Sequence, residues 1–290
     1  MLGWRLGMSA LLIPLFAALC WLDHRLGTGA PVLFGLCCAL GARSAWELVH
    51  LLRPRFPELR LTPILFGVVG LLVAAWWPHW RGDAATLSAT AAIAIAWMLS
   101  VLSLFAVEAW RYEAPGARME TLSAGILVVS YVGGLLALTA QLRWVQGAAA
   151  GYYVLASMVV ATKRGDVGAY TLGRLFGHRK MAPRLSPGKT WAGFVGALLG
   201  AALGAWTWLY FAAPGFIGAS FPGHGWSLVY GVTLGAVGLV GDLCESLIKR
   251  DLGQKDAAAL MPGFGGLLDL LDSILFAGPV AYLFWLSRPL

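Results

Sequence analysis

The chain has 290 residues, of which 59% are hydrophobic and 12% charged, with a net charge of +7 and a mean hydropathy of +0.74. A soluble domain carries roughly 25% charged residues, so the composition excludes an ordinary soluble enzyme and points to an all-α polytopic integral membrane protein. Nucleic acid is excluded as the partner of the basic excess, because no basic helix or aromatic–basic strand pattern accompanies it.

A helix needs about 20 apolar residues to cross a bilayer. In chain order the candidate spans are Leu6–Leu22, Ala30–Leu52, Thr62–Trp77, Ala84–Val107, Thr121–Ala140, Gly147–Thr162, Thr190–Ala213, Trp226–Cys244 and Gly265–Leu286, about nine transmembrane helices. The first follows Arg5 and imitates a signal peptide, but no small-x-small site precedes Asp23-His24-Arg25, so retention is expected. Sixteen basic residues fall in connections on one side and four (Arg25, Arg81, Arg143, Arg288) on the other. The positive-inside rule then places the N-terminus in the cytoplasm. Tryptophans near the span ends read as interfacial anchors. Cys20, Cys37, Cys38 and Cys244 form no Cys-x-x-Cys pair and read as small buried hydrophobes. Gly196, Gly200 and Gly204 make a small-residue stripe that lets helices approach, either within the subunit or across a homodimer seam. The expected division is an N-terminal transmembrane region, 1–162, and a catalytic region, 163–290, with a cytoplasmic basic loop and the last three helices.

The chemistry is concentrated between Gly241 and Ser273. Asp242, Glu245, Ser246 and Lys249 stand at i, i+3, i+4 and i+7, one face of a helix. A structural ion pair is the plain alternative, yet the acids lie toward the membrane and the bases toward the cytoplasm. Asp269 and Asp272 share a face of the next apolar helix, and the turn at Pro262–Gly266 would bring them level with Asp242. Three crowded carboxylates repel unless protonated or bridged by cations. Oxygen ligands beside a phosphate substrate favour Mg²⁺. Helix-to-helix hydrogen bonding explains one such aspartate better than three.

A second polar stretch runs from Lys163 to Trp191. Its cations could line a polyanion site or rest on anionic lipid. Ser186-Pro187-Gly188-Lys189-Thr190 is like half a phosphate loop, without the full spacing and with no strand expected before it. Histidine-based metal motifs, a nucleophile elbow and a dinucleotide fingerprint are all absent from the sequence.

At these residues the chain resembles the phosphatidate cytidylyltransferases (CDP-diacylglycerol synthases). The matching pattern is Asp166–Tyr170, Ser186–Trp191, Ser246, Lys249-Arg250, Lys255-Asp256, Pro262–Gly266, Asp269 and Asp272-Ser273, across 163–273. Three positions depart from it: Phe264, Leu270 and Ala192 stand where the family has His, Arg and Glu.

The resemblance implies a reaction in which CTP and phosphatidate, or a related lipid phosphate, give CDP-diacylglycerol and pyrophosphate. It implies Mg²⁺ at Asp242, Asp269 and Asp272, with a second cation such as K⁺ admitted. Asp166, Ser186, Lys189, Thr190, Ser246, Lys249, Arg250, Lys255 and Asp256 are the implied substrate-binding residues. The implied setting is a bacterial inner membrane, with the site facing the cytoplasm among membrane lipids. Alternatives are a CTP-dependent kinase or cytidylyltransferase of a polyprenyl-type lipid, a transporter with a midplane ion site, and a non-catalytic lipid-binding relative.

Overall fold

The computed structural model describes residues 2–82, 86–254 and 265–288, with side chains from residue 14 onward. The elements are helices α1 (Leu2–Leu26), α2 (Pro31–Leu52), α3 (Leu61–Arg81), α4 (Ala89–Trp110), α5 (Arg118–Val128), α6 (Leu135–Ala140), α7 (Gly147–Phe176), α8 (Trp191–Ala212), α9 (His224–Asp251) and α10 (Leu267–Leu286). Strands β1 (Lys180–Ala182) and β2 (Ser186–Thr190) lie between α7 and α8. Among the described residues, seven helical segments are long and apolar enough to cross a membrane: α2, α3, α4, the run Arg118–Arg143, Trp191–Gly215, α9 and α10. Each of the nine expected spans falls on a helix of this set or on α1 or α7. The chain is a helical polytopic membrane protein, and it divides into two compact units, 1–138 with 252–270 and 139–251 with 271–290.

The first unit is held by caps and close helix contacts. Asp23 is fully buried because its Oδ1 accepts from the amides of Val32 (2.6 Å) and Leu33 (3.2 Å), two of the donors a helix start leaves without partners. The turn before α2 is fastened from α3, whose Trp76 and Trp80 indoles donate to the carbonyls of Ala30 and Gly29. Between α5 and α6 the backbone widens into a π-helical stretch, Val129–Gly134. The bulge presents Gly133 to α3, where a side chain would collide with Val68 and Leu71. Glu58 and Glu108 pair with Arg111 and Arg118, joining the α2–α3 connection to the end of α4 and the start of α5.

The second unit is built on small residues. Apolar helices gain no hydrophobic drive toward each other in lipid, so close packing carries the association. A methyl group added at Gly168 of α7 would overlap the Gly196 carbonyl of α8, and one at Gly200 would overlap the Arg164 carbonyl. Gly231 and Gly235 of α9 face Ala197, Ala201, Ala202 and Ala205 of α8 in the same manner. The Gly196–Gly200–Gly204 stripe is therefore used inside the subunit. Toward the far end, Tyr153 donates to the Leu209 carbonyl at 2.8 Å and Ser157 meets Tyr230 at 2.9 Å. Trp226, Tyr230, Phe284 and Trp285 cluster edge to face around them.

Two local expectations are corrected. Helix α7 does not stop at Thr162 but continues to Phe176. Gly165, Gly168 and Gly173 face α8 instead of breaking the helix, and Lys163–Asp166 and Tyr170–Arg174 pair along its surface. The rest of the basic stretch is not a plain loop: β1 and β2 form an antiparallel hairpin with Lys180 opposite Thr190 and Ala182 opposite Ser186. The chain thus departs from pure α at this one hairpin among the described residues.

Candidate active site

Four elements of the second unit converge on one acidic cluster. Helix α9 supplies Asp242 and Glu245 from one face, and α10 supplies Asp272. One carboxylate oxygen from each of the three lies within 4.8 Å of the others. The approach depends on Gly241, where a Cβ would stand 2.6 Å from the Asp272 carbonyl, and on Gly238 one turn earlier, opposite Ser273. Glycines at both positions let α9 and α10 close together at the level of the acids.

Cations surround the cluster. Lys189, delivered by β2 just before α8, reaches Asp242 Oδ2 at 2.9 Å. Lys249 is 3.0 Å from Glu245 Oε2, an i,i+4 pair buried on α9. From α7, Lys163 bonds Asp166 at 3.1 Å and Ser273 Oγ at 3.2 Å. Asp272 differs from the other acids. It is 8% exposed, its Oδ1 accepts from the Ser273 amide at 2.5 Å, and among the described residues no basic group lies at ion-pair distance. A carboxylate taken out of water costs several kcal/mol unless a cation compensates it, and Lys163 acts on Asp272 only from beyond ion-pair distance. Asp272 is thus the point of the cluster where an added cation would be most favoured.

Asp242 and Asp272, expected together, are together. Glu245 belongs to the same group, although the sequence leaves it outside the metal set; its i+3 spacing from Asp242 is the available signal. Asp269 turns back on its own helix start, its Oδ2 accepting from Gly266 N at 2.6 Å. Thr190 caps α8 by accepting from Gly193 N at 3.1 Å and is buried. Arg250 donates to the Leu185 carbonyl at 3.3 Å, joining the end of α9 to the hairpin turn. Ser246 is buried on the face shared with Glu245 and Lys249, and Ser186 lies half-buried in β2. Lys255, Asp256 and Phe264 lie outside the described residues. Lys163 and Ser273 belong to the site by position; in the sequence one is among the cations that could line a polyanion site or rest on lipid, and the other stands only within a motif.

The donor set is oxygen only, arranged among lysines, and so suits a hard divalent cation facing phosphate. Comparison with known proteins identifies the family. The family model described as "Cytidylyltransferase family" matches residues 4–287. Three relatives are named phosphatidate cytidylyltransferase. The *Mycobacterium leprae* protein is 31% identical over 251 residues, 85% of this chain and 77% of that one. The *Haemophilus influenzae* protein is 35% identical over 162 residues, and the match spans little more than half of each chain, 56% and 55%. The *Chlamydia pneumoniae* protein is 41% identical over 132 residues, 45% of this chain and 42% of that one. With a family match running almost from end to end, the chain belongs to the cytidylyltransferase family.

Proposed function

We propose that the protein is a phosphatidate cytidylyltransferase that condenses CTP with phosphatidate to give CDP-diacylglycerol and pyrophosphate. The observation that carries the reading is the cluster of Asp242, Glu245 and Asp272, ringed by lysines, in a chain matched by the cytidylyltransferase model. A phosphate oxygen of the lipid attacks the α-phosphorus of CTP in line, and the bond to the β-phosphate oxygen breaks. The nucleophile is already anionic, so no general base is needed; among the described residues the cluster is made of carboxylates.

Three carboxylates within 4.8 Å fit Mg²⁺. Asp242, Glu245 and Asp272 would hold it, with Asp269 entering the ligand set from the family resemblance alone. When bound, the ion supplies neutralisation of charge on the phosphate oxygens. Lys189, Lys249, Arg250 and Lys255 bind and orient phosphate, each as a charged donor. Asp166 and Asp256 contribute water or nucleotide contacts, and Ser186, Thr190 and Ser246 support the nucleotide side. A second cation such as K⁺ belongs to the same reading. So do nine membrane crossings, with α1 and α7 completing the set, and a cytoplasmic N-terminus and active site in a bacterial inner membrane; the sixteen-to-four division of basic residues supports this. A homodimer, if formed, would use a face other than the glycine stripe of α8.

The test is direct. Protein in lipid nanodiscs with Mg²⁺, CTP and phosphatidate should release pyrophosphate, and Asp272→Ala or Asp242→Ala should abolish the release. Release of CDP instead would establish a CTP-dependent kinase. Phe264 and Leu270, standing where the family has His and Arg, favour one further reading, a lipid-binding relative. CTP binding without turnover would select it.

A further inference from the structure

Outside the cluster, helix α2 carries an acid that belongs to none of the motifs between residues 163 and 273. Glu47 lies in its apolar body and is fully buried. A leucine there would pack without electrostatic cost, whereas a buried carboxylate must be compensated. Both oxygens are engaged. Oε1 accepts from Arg43 Nε at 3.0 Å, with the Arg43 guanidinium stacked 4.2 Å over the Trp46 ring. Oε2 accepts from the backbone amide of Leu268 at 2.9 Å, a contact spanning 221 positions of sequence. Residues 47 and 268 belong to the same compact unit.

Leu268 is the second residue of α10, and its amide is one of the donors a helix start leaves without an intrahelical partner. A capping box satisfies such donors reciprocally. The residue before the helix supplies a side-chain acceptor to an amide of the first turn, and the third helical residue reaches back to the amide of the residue before the helix. On α10 the second half is present, since Asp269 accepts from Gly266 N. The first half cannot come from Gly266, which has no side chain. Glu47 provides that acceptor from another helix, and its negative charge also lies at the favourable end of the helix dipole.

We infer that Glu47 is the positioning residue of the aspartate helix: it completes the α10 capping box in trans and fixes the axial position and rotation of the helix start that carries Asp269. A slip of that first turn would carry Asp269 with it, and Asp272 follows three residues later on the same helix. The functional half of this inference rests on the cytidylyltransferase reading above; the structural half does not.

The experiment uses the full chain in nanodiscs and two readouts, hydrogen exchange of the peptide covering 265–272 and pyrophosphate release with Mg²⁺, CTP and phosphatidate. In Glu47→Ala, exchange at 266–270 should accelerate by about tenfold, the scale of a lost cap. Its kcat should fall by about tenfold or more while the KM for CTP stays within about twofold, the pattern of misplaced reacting groups. Glu47→Gln keeps one acceptor oxygen where the carboxylate has two, so Leu268 N and Arg43 Nε compete for it, and the variant should fall between alanine and wild type in both readouts. Glu47→Asp keeps the charge but withdraws the acceptor by one methylene, and should behave like the alanine variant even where alanine itself fails to fold. The inference is overturned if Glu47→Asp matches wild type in both readouts, if Glu47→Gln is no better than alanine, or if exchange accelerates with kcat unchanged. Wild-type protein that released no pyrophosphate would sink the functional reading instead, and the exchange comparison would then decide the positioning by itself.

Discussion

Alanine at Gly168 puts one methyl group into the seam between α7 and α8. An ideal Cβ there overlaps the Gly196 carbonyl oxygen and stands 3.0 Å from its carbon and 3.2 Å from the Gly200 Cα. All three are backbone atoms, so no rotamer change relieves the contact. Ordinary carbon contacts settle near ~3.5–4.0 Å, so the helices must part by roughly an ångström. Overpacking of this kind costs about 1–3 kcal/mol, and the upper half applies because backbone is met. Alanine returns about 1 kcal/mol as the better helix former. The net destabilisation is then about 1–2 kcal/mol, or roughly 5 °C in melting temperature. Gly70→Ala is the control: on α3 nothing lies within 4 Å of the added carbon, and melting should hold or rise. Function should respond too, because α7 carries Lys163 and Asp166 to Ser273. An ångström of misplacement costs up to about a hundredfold in rate, so pyrophosphate release should drop at least about tenfold. Should Gly168→Ala and Gly70→Ala melt together with wild type, the glycine seam is not what holds these helices, and the packing argument fails.

The other predictions concern the site itself. Mg²⁺ should raise the melting temperature of wild type, as any ligand of the folded state does, by about 2.7 kcal/mol of stability at a hundredfold excess over its dissociation constant. Asp272→Asn should lose that response together with pyrophosphate release while melting no lower than wild type without metal, since an amide removes a buried carboxylate that lacks an ion-pair partner among the described residues; a full Mg²⁺ shift in this variant would place the ion elsewhere. Thr190→Val should destabilise by about 1 kcal/mol through loss of the α8 cap while Thr190→Ser does not, and equal melting of the two would remove the capping role. Lys189→Met breaks the 2.9 Å pair with Asp242 and should lower kcat/KM for CTP by about tenfold or more, the loss expected for a charged hydrogen bond; steady-state kinetics at saturating lipid decides it.

How much of this was legible beforehand varied with the physics involved. Membrane helices announce themselves because the bilayer demands a fixed apolar length, and seven of the nine expected spans fell on helices long and apolar enough to cross. Asp242 and Glu245 were readable as neighbours because i and i+3 share a face on any α-helix. That Asp272 meets them was not readable, because it depends on how closely α9 and α10 approach at Gly238 and Gly241, and the partner a glycine faces is not written in its own spacing. The extension of α7 was missed for a related reason. Glycine and charge are loop signals in isolation, and only the small residues of α8, Ala197 and Ala201 against Gly165 and Gly196 and Gly200 against Gly168, turn these glycines into packing residues. The short hairpin carries no alternation of apolar and polar residues to betray it. Glu47 is the extreme case, for a lone acid inside an apolar run has no motif, and its partner is a backbone amide 221 positions away. Side chains whose role is to satisfy backbone groups leave almost no trace in sequence, because the group they serve is present at nearly every residue. The aspartates that point to the chemistry could be found by pattern. The glutamate that seats the start of their helix could be found only once the chain was folded.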